Sequence, residues 1–215
     1  MEQSQSFQSS QESQRYRSRD DSEQYNSREE SDSDQPKEEN AIILDYLEHG
    51  YPFESGSGLK TPIAQALGIA HLTLLELVPK KGFQLQPHQE VYLGEGKREE
   101  IHHTKGRIPL DRLTSTARNE LPHVIEKLID RDEAKFIAFF NKAQPLSMRM
   151  HQLELLPGMG KKHMWEILEA RKEKPFENFE DLKSRVKLLP NPKQTVIKRI
   201  LLEMEGKDKH RIYVN

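Results

Sequence analysis

The sequence predicts an α+β fold: a small β-barrel-like module, then helical hairpins, with a disordered tail at the start. Short apolar runs between residues 41 and 108 are separated by glycines and prolines, as in a sheet of short strands. A proline–glycine turn at residues 157–160 joins two segments with helical apolar spacing. Residues 1–39 contain almost no large apolar side chains and cannot offset the entropy of ordering a chain.

Charge is distributed unevenly along the chain. Residues 1–40 contain ten Ser, seven Gln, eleven Asp or Glu and five Lys or Arg, a net charge of −6. Residues 142–215 have 16 basic and 10 acidic side chains, a net charge of +6. We therefore expect a disordered acidic tail over residues 1–39 and a polyanionic partner for the C-terminal part. The alternative for the basic part is a solvated helical surface.

The chain has no cysteine, which excludes disulfides and cysteine metal sites and is typical of a reducing compartment. No apolar run approaches the length of a membrane span, and the start of the chain lacks a signal-peptide core. We expect a soluble, cytoplasmic protein without a membrane partner.

Residues 40–112 are predicted to form the β module, with strands at 41–47, 72–78 and 91–93, and further short strands near Ile101 and Ile108. The stretch 62–68 fits either a helical turn or a strand. Roughly seventy residues suit a five-stranded oligonucleotide-binding (OB-type) barrel. Four basic residues in and after its Gly-rich loop are candidate phosphate contacts: Lys97, Arg98, Lys105 and Arg107. The alternative for that loop is a plain hairpin turn.

Acidic and histidine side chains also cluster here: Glu99, Glu100, His102 and His103. On a strand, consecutive side chains point to opposite faces, so neither face gathers more than two of the four. Because a metal ion needs more ligands than that, we predict no metal site.

Residues 113–145 are predicted to be a helical linker, with a helix start among residues 114–116 and an apolar stripe from Leu121 to Ile129. Pro122 fits the first turn of that helix or a kink within it. Three aromatic residues follow at helical spacing, and we interpret them as core: Phe136, Phe139 and Phe140.

The most specific motif lies at residues 157–162, Pro-Gly-Met-Gly-Lys-Lys. Its glycines allow positive φ and a tight reversal before a helix. The start of that helix has unpaired N–H donors and a partial positive charge, which suit an anion. The stretch resembles the helix-hairpin-helix motif of nucleic-acid-binding proteins. We predict phosphate contact by Gly158, Met159, Gly160, Lys161 and Lys162; the alternative is a helical hairpin with a purely structural turn.

The hairpin is repeated 33 residues later, so residues 146–207 are predicted to form a tandem helix-hairpin-helix around a shared core that contains Trp165. In the second copy Pro192 is interpreted as replacing Gly160, with Asn191 as the helix cap. The second hairpin is therefore predicted to pack rather than to bind. Alternation in residues 208–215 predicts a last strand that returns to the β module.

From about residue 41 to its end the chain resembles the archaeal family known as domain of unknown function 655. The stretches that carry this resemblance are residues 43–47, 50–52, 74–79, 139–145, 153–162, 174–177 and 179–181. The resemblance implies a β-barrel-like module followed by tandem helix-hairpin-helix, and an RNA-binding protein. The acidic tail lies outside it.

We therefore expect a non-enzymatic nucleic-acid-binding protein without a cofactor, with RNA favoured over DNA. The alternative is a protein-interaction adaptor on a ribosome or a DNA-repair assembly. A nuclease or another enzyme is disfavoured, because no carboxylate cluster, His pair or nucleophile constellation is evident.

Overall fold

Five antiparallel strands form the main sheet of the computed structural model, which describes residues 36–51 and 61–214. The strands are β1 (Asn40–Leu47), β2 (Ile63–Gly68), β3 (Leu74–Pro79), β4 (Glu90–Tyr92) and β5 (Ile101–Arg107). Their order across the sheet is β4-β1-β2-β3-β5. The predicted run at residues 62–68 is thus a strand, and one strand covers the region between Ile101 and Ile108. The structure of the predicted tail over residues 1–35 lies outside the described residues.

The sheet curls into a half barrel, and its strands β1 to β3 are mostly buried on both faces. Residues on one face form a core of their own that Leu85, from the β3–β4 connection, helps to close: Ala41, Ile43, Ala64, Ala66, Leu75, Leu77, Val91, Leu93 and Ile101. The alternate residues of β1 to β3 face the helices. Register shifts between Ile43 and Asp45 in β1, and between Glu76 and Leu77 in β3, mark bulges, which bend strands.

Helices α1 (Ser115–Arg131) and α2 (Glu133–Lys142) follow the sheet. Thr114 caps α1, since its hydroxyl accepts the Ala117 N–H. Pro122 lies inside α1, beyond its first turn. The prediction of an aromatic core is confirmed, because Phe136 and Phe140 are buried and Phe139 packs against them.

The last helices are α3 (Lys161–Glu173), α4 (Phe179–Arg185) and α5 (Pro192–Met204). A continuous apolar core runs from β1 through α1 and α2 to α5 and Val214. Residues 38–215 accordingly form one compact unit. The helical pair predicted as a linker therefore lies within the shared core of this unit.

The start of this unit corrects the predicted end of the tail, which was placed at residue 39. Glu38 is buried. Its carboxylate accepts the backbone N–H groups of Ala70, His71 and Thr73, in the connection between β2 and β3. A carboxylate that three N–H groups satisfy can be buried at little cost, so the folded chain begins at Glu38.

Residues 146–157 were predicted to contain the first helix of the hairpin, and this prediction is wrong. The segment contains a two-stranded hairpin, β6 (Pro145–Ser147) and β7 (Met150–His151), followed by a four-residue 3₁₀ turn, Gln152–Leu155. Pro157 lies two residues beyond that turn and limits any longer helix, because the residue before a proline disfavours helical angles.

The predicted C-terminal strand is also wrong, since residues 208–214 form no strand. Glu203 is the reason: its carboxylate accepts the backbone N–H groups of Ile212, Tyr213 and Val214 at 2.9–3.0 Å. One buried carboxylate thus satisfies the donors that a sheet would otherwise have to pair. The segment packs on the helical core, where the Tyr213 ring lies 5.7 Å from that of Phe136.

Candidate nucleic-acid interface

The turn before α3 uses its two glycines differently. Gly158 has φ +80°, so a side chain there would be strained. Gly160 has φ −96° and ψ 176°, which any residue can adopt. The prediction that both glycines serve the reversal is therefore wrong for Gly160. A Cβ added at Gly160 would meet nothing within 4 Å, so the missing side chain leaves the helix start open.

Met159 fixes this turn to the protein. Its side chain is buried in the main core, although Gly158 and Gly160 on either side are exposed. The Met159 N–H donates to the Leu156 carbonyl at 3.0 Å. Met159 therefore anchors the turn to the core, and its side chain is not accessible to a ligand.

The start of α3 presents positive charge and uncapped donors. Gly160 is the N-cap residue and has no side chain to accept a helix N–H. Lys161 and Lys162 are exposed at the first two helical positions. Lys162 lies 3.9 Å from Glu166, a weak exposed pair, and the Lys161 ammonium has no hydrogen-bond or ion-pair partner among the described residues. An anion approaching here would meet backbone donors, the helix dipole and two ammonium groups.

A buried arginine holds the backbone just before this turn. Arg199 of α5 donates through Nη1 to the Leu155 carbonyl at 3.1 Å and to Asp208 Oδ2 at 2.7 Å. Its Nε donates to Glu203 Oε1 at 2.6 Å, and Nη2 donates to the His210 carbonyl. Burial alone would lower the pKa of Arg199, but the carboxylates of Glu203 and Asp208 hold it above its ordinary value. Arg199 therefore positions the turn as a permanent cation.

The second turn differs from the first in its local chemistry. Asn191 caps α5 by accepting the Gln194 N–H at 3.2 Å, and Pro192 is the first helical residue, as predicted. Relative to the two helix starts, Pro192 corresponds to Lys161, and Asn191 corresponds to Gly160, which corrects the predicted pairing of Pro192 with Gly160. Lys193 donates to Asp130 of α1 at 2.6 Å, and this pair raises its pKa. The lysine of the second turn is therefore bound to another part of the protein and is less available to a ligand.

The other predicted phosphate contacts belong to the β4–β5 connection and to β5: Lys97, Arg98, Lys105 and Arg107. Lys105 Nζ lies 2.5 Å from Oε1 of the buried Glu76, so its charge is already paired. Arg98 Nε donates to the Gly94 carbonyl at 3.0 Å. Lys97 is exposed, and Arg107 is half-buried at the end of β5. These residues share an edge strand and its loop, whereas residues 158–162 lie at the start of α3.

An exposed apolar surface beside α3 was missed in the sequence. Trp165 was predicted in the core, but it is 60% exposed, and Met148 at the tip of the β6–β7 hairpin is fully exposed. The two residues line one groove of about 470 Å³, together with Met150, Lys161 and Leu168. The sequence does contain a signal for this groove. Residues 161, 165 and 168 follow i, i+4, i+7 spacing, so they share one face of the helix.

His151 begins the 3₁₀ turn that leads to residues 158–162. It is 6% exposed, and its Nδ1 accepts the Leu153 N–H at 3.1 Å, so the ring is neutral there. Burial, and then the positive charge of Arg171, lower the pKa of His151 below its ordinary value; Glu154 opposes this only in part. Because the unfolded chain takes up this proton first, the contribution to stability is present above about pH 6.5 and is lost as the pH falls below it.

His151→Asn tests this pH dependence, because asparagine keeps a cap acceptor but does not titrate. Chemical unfolding at a series of pH values from 7.5 to 5 should show a smaller loss of stability in the variant than in the unchanged protein. Parallel curves for the two proteins would contradict a role for His151.

Neither a metal centre nor a membrane-spanning helix was found in the part of the chain that the structure describes. Within residues 36–51 and 61–214 no three histidine or acidic side chains gather closely enough to hold a metal ion. Among the helices of those ranges, none combines the length and apolar character needed to cross a bilayer.

Comparison with known proteins identifies the family. The family described as "Protein of unknown function (DUF655)" matches residues 37–215. An uncharacterised protein of Methanocaldococcus jannaschii is 39% identical over 176 residues, which are 81% of this chain and 78% of the relative. The crystal structure of a DUF655 protein from Archaeoglobus fulgidus is similar with a TM-score of 0.76 and 40% identity, covering 83% of this chain and 100% of that one. The resemblance expected from the sequence is therefore confirmed, and this chain belongs to the DUF655 family.

Proposed function

We propose that the protein binds nucleic acid, with RNA favoured over DNA, by holding a backbone phosphate at the start of α3. The observation that carries this proposal is the open helix start at Gly160, where uncapped N–H donors lie beside the exposed Lys161 and Lys162. Binding of this kind needs no catalytic group and no cofactor.

The chemistry is that of backbone contact without base reading. Gly160 has no Cβ, so a phosphate oxygen can approach the N–H groups of the first helical turn closely. The two lysines release counterions from the nucleic acid, which gives affinity that falls with salt and is independent of sequence. The second turn has an asparagine cap and an internally paired lysine, so in this proposal it packs and does not bind.

The architecture is consistent with a tandem helix-hairpin-helix in which the first helix is reduced to a 3₁₀ turn. The curled five-stranded sheet is consistent with an OB-type module, whose loops offer a second surface for single strands. Lys97 is an exposed cation in one of those loops.

A protein-interaction adaptor is the competing function, and the exposed Met148 and Trp165 favour it. The test is the affinity for fluorescein-labelled RNA and DNA oligonucleotides of mixed sequence, measured over a salt series. We expect log-linear weakening with salt for every sequence. Absence of binding to either polymer at low salt would reject nucleic-acid binding and leave the adaptor.

Gly160→Ala gives a sharper test within the site. The backbone angles at residue 160 suit alanine, so the protein should fold, but the new methyl group would stand where the phosphate approaches. We expect weaker binding by roughly tenfold, about the value of one charge-assisted hydrogen bond. Asn191→Ala is the matched control: it puts alanine at the same helix position of α5 and costs about 1 kcal/mol of stability. Equal loss of binding in both variants would contradict the assignment of the phosphate to α3.

A further inference from the structure

The groove between the β6–β7 hairpin and α3 has both apolar and basic residues in its lining. Met148, Met150 and Trp165 line it, and all three are exposed. The Lys161 ammonium and the Arg149 guanidinium also line it, and neither has a hydrogen-bond or ion-pair partner among the described residues. We call this surface the stacking groove.

The stacking groove begins where the phosphate site of the proposed function ends. Lys161 belongs to both, as the first residue of α3 and as a wall of the groove. Trp165 lies one helical turn further along the same face, about 6 Å away along the helix axis. A phosphate at the start of α3 would therefore place its own nucleoside within reach of the indole ring.

The charge of the lining decides between possible occupants. Glu154 is the acidic residue of the lining, and three basic residues line the same groove: Arg149, Lys161 and Arg171. The groove therefore has a net positive charge beside its apolar and aromatic side chains. An occupant that fits has a flat apolar face joined to an anion, which is the chemistry of an unpaired nucleobase on its phosphate.

We propose that the stacking groove holds unpaired bases of a single-stranded nucleic acid, with Trp165 as the stacking platform. This inference rests on the proposed function and adds the substrate class to it. A base inside a duplex has both faces covered by its neighbours, so it cannot stack on the ring, whereas a single strand can. Met148 and Met150 adapt their shape to different bases, which makes the groove tolerant of sequence.

The tryptophan supplies its own signal, because Trp165 is the one tryptophan of the chain. A uridine 12-mer should quench its fluorescence as it binds, and a duplex RNA of the same length should quench it much less. An abasic ribose-phosphate 12-mer and a poly-glutamate peptide separate stacking from charge. Quenching by either of them equal to that of the 12-mer would overturn the proposal.

Trp165→Ala should weaken binding of the 12-mer by about fivefold to a hundredfold and remove the preference for the single strand over the duplex. Trp165→Phe should retain most of the affinity and of the preference, because phenylalanine also offers an aromatic face. Leu188→Ala is the control, since Leu188 is an exposed apolar residue outside the groove. Binding that depends on Lys161 and Lys162 but leaves the fluorescence and the Trp165→Ala affinity unchanged would reject the groove and keep the proposed function. No binding of any nucleic acid would reject both.

Discussion

Replacing Arg199 with methionine should lower the free energy of unfolding by about 3–5 kcal/mol, because it leaves a buried carboxylate without its partner. Arg199 is 2% exposed and Glu203 is 1% exposed, and Nε of the arginine lies 2.6 Å from Oε1 of the carboxylate. The arginine also satisfies the carbonyls of Leu155 and His210. The same substitution therefore orphans acceptors in three separate segments.

Urea unfolding followed by circular dichroism measures this loss. Arg131→Met is the matched control, since Arg131 pairs with Glu90 at 2.8 Å on the surface, where such pairs contribute about 0–1 kcal/mol. Adding Glu203→Leu to Arg199→Met should not restore stability, because the N–H groups of residues 212–214 would then lack their acceptor. Similar losses from Arg199→Met and Arg131→Met would show that the buried network is not what holds these segments.

Lys161→Ala with Lys162→Ala should weaken nucleic-acid binding by roughly tenfold to thirtyfold near physiological salt, the value of one to two phosphate contacts. The slope of log affinity against log salt should fall by about one to two phosphate equivalents, equally for all sequences. Both side chains are exposed, so the fold should be unaffected. Oligonucleotide affinity over a salt series measures the slope, and thermal melts check folding.

Lys193→Ala is the control in the second turn. Lys193 is bound to Asp130 and close to Glu126, so its loss should cost up to about 1 kcal/mol of stability and little binding. A salt slope that falls as much in Lys193→Ala as in the double variant would contradict the asymmetry between the two turns. An unchanged slope in both would contradict phosphate contact at α3.

The local chemistry of the chain was sufficient to predict several features of the fold. A cap side chain bonds to the first turn of its own helix, so Asn191 could be recognised from its neighbours alone. The buried strands β1 and β3 and the stripe of α1 were predicted by short-range periodicity. The two exposed lysines at the start of α3 could also be predicted from local sequence, because the turn directly before them sets their position.

The features that the sequence did not predict depend on partners far along the chain. Periodicity places Trp165 on an apolar stripe, but only the packing of β6 and β7 decides that this face forms a groove and not a core. Asn40–Leu47 was recognisable as a strand, whereas Glu38, two residues earlier, is buried by a connection thirty-two residues away. Likewise, the alternation of Ile212 and Val214 suggests a strand, but Glu203 offers a nearer acceptor for their N–H groups. Sequence by itself thus determined the hydrogen bonds that close within one helical turn and the apolar spacing of single strands. Only the tertiary structure decided which distant backbone N–H and C=O groups bond to the buried charged side chains. The physical reason is that no local pattern encodes which segment packs beside a given side chain.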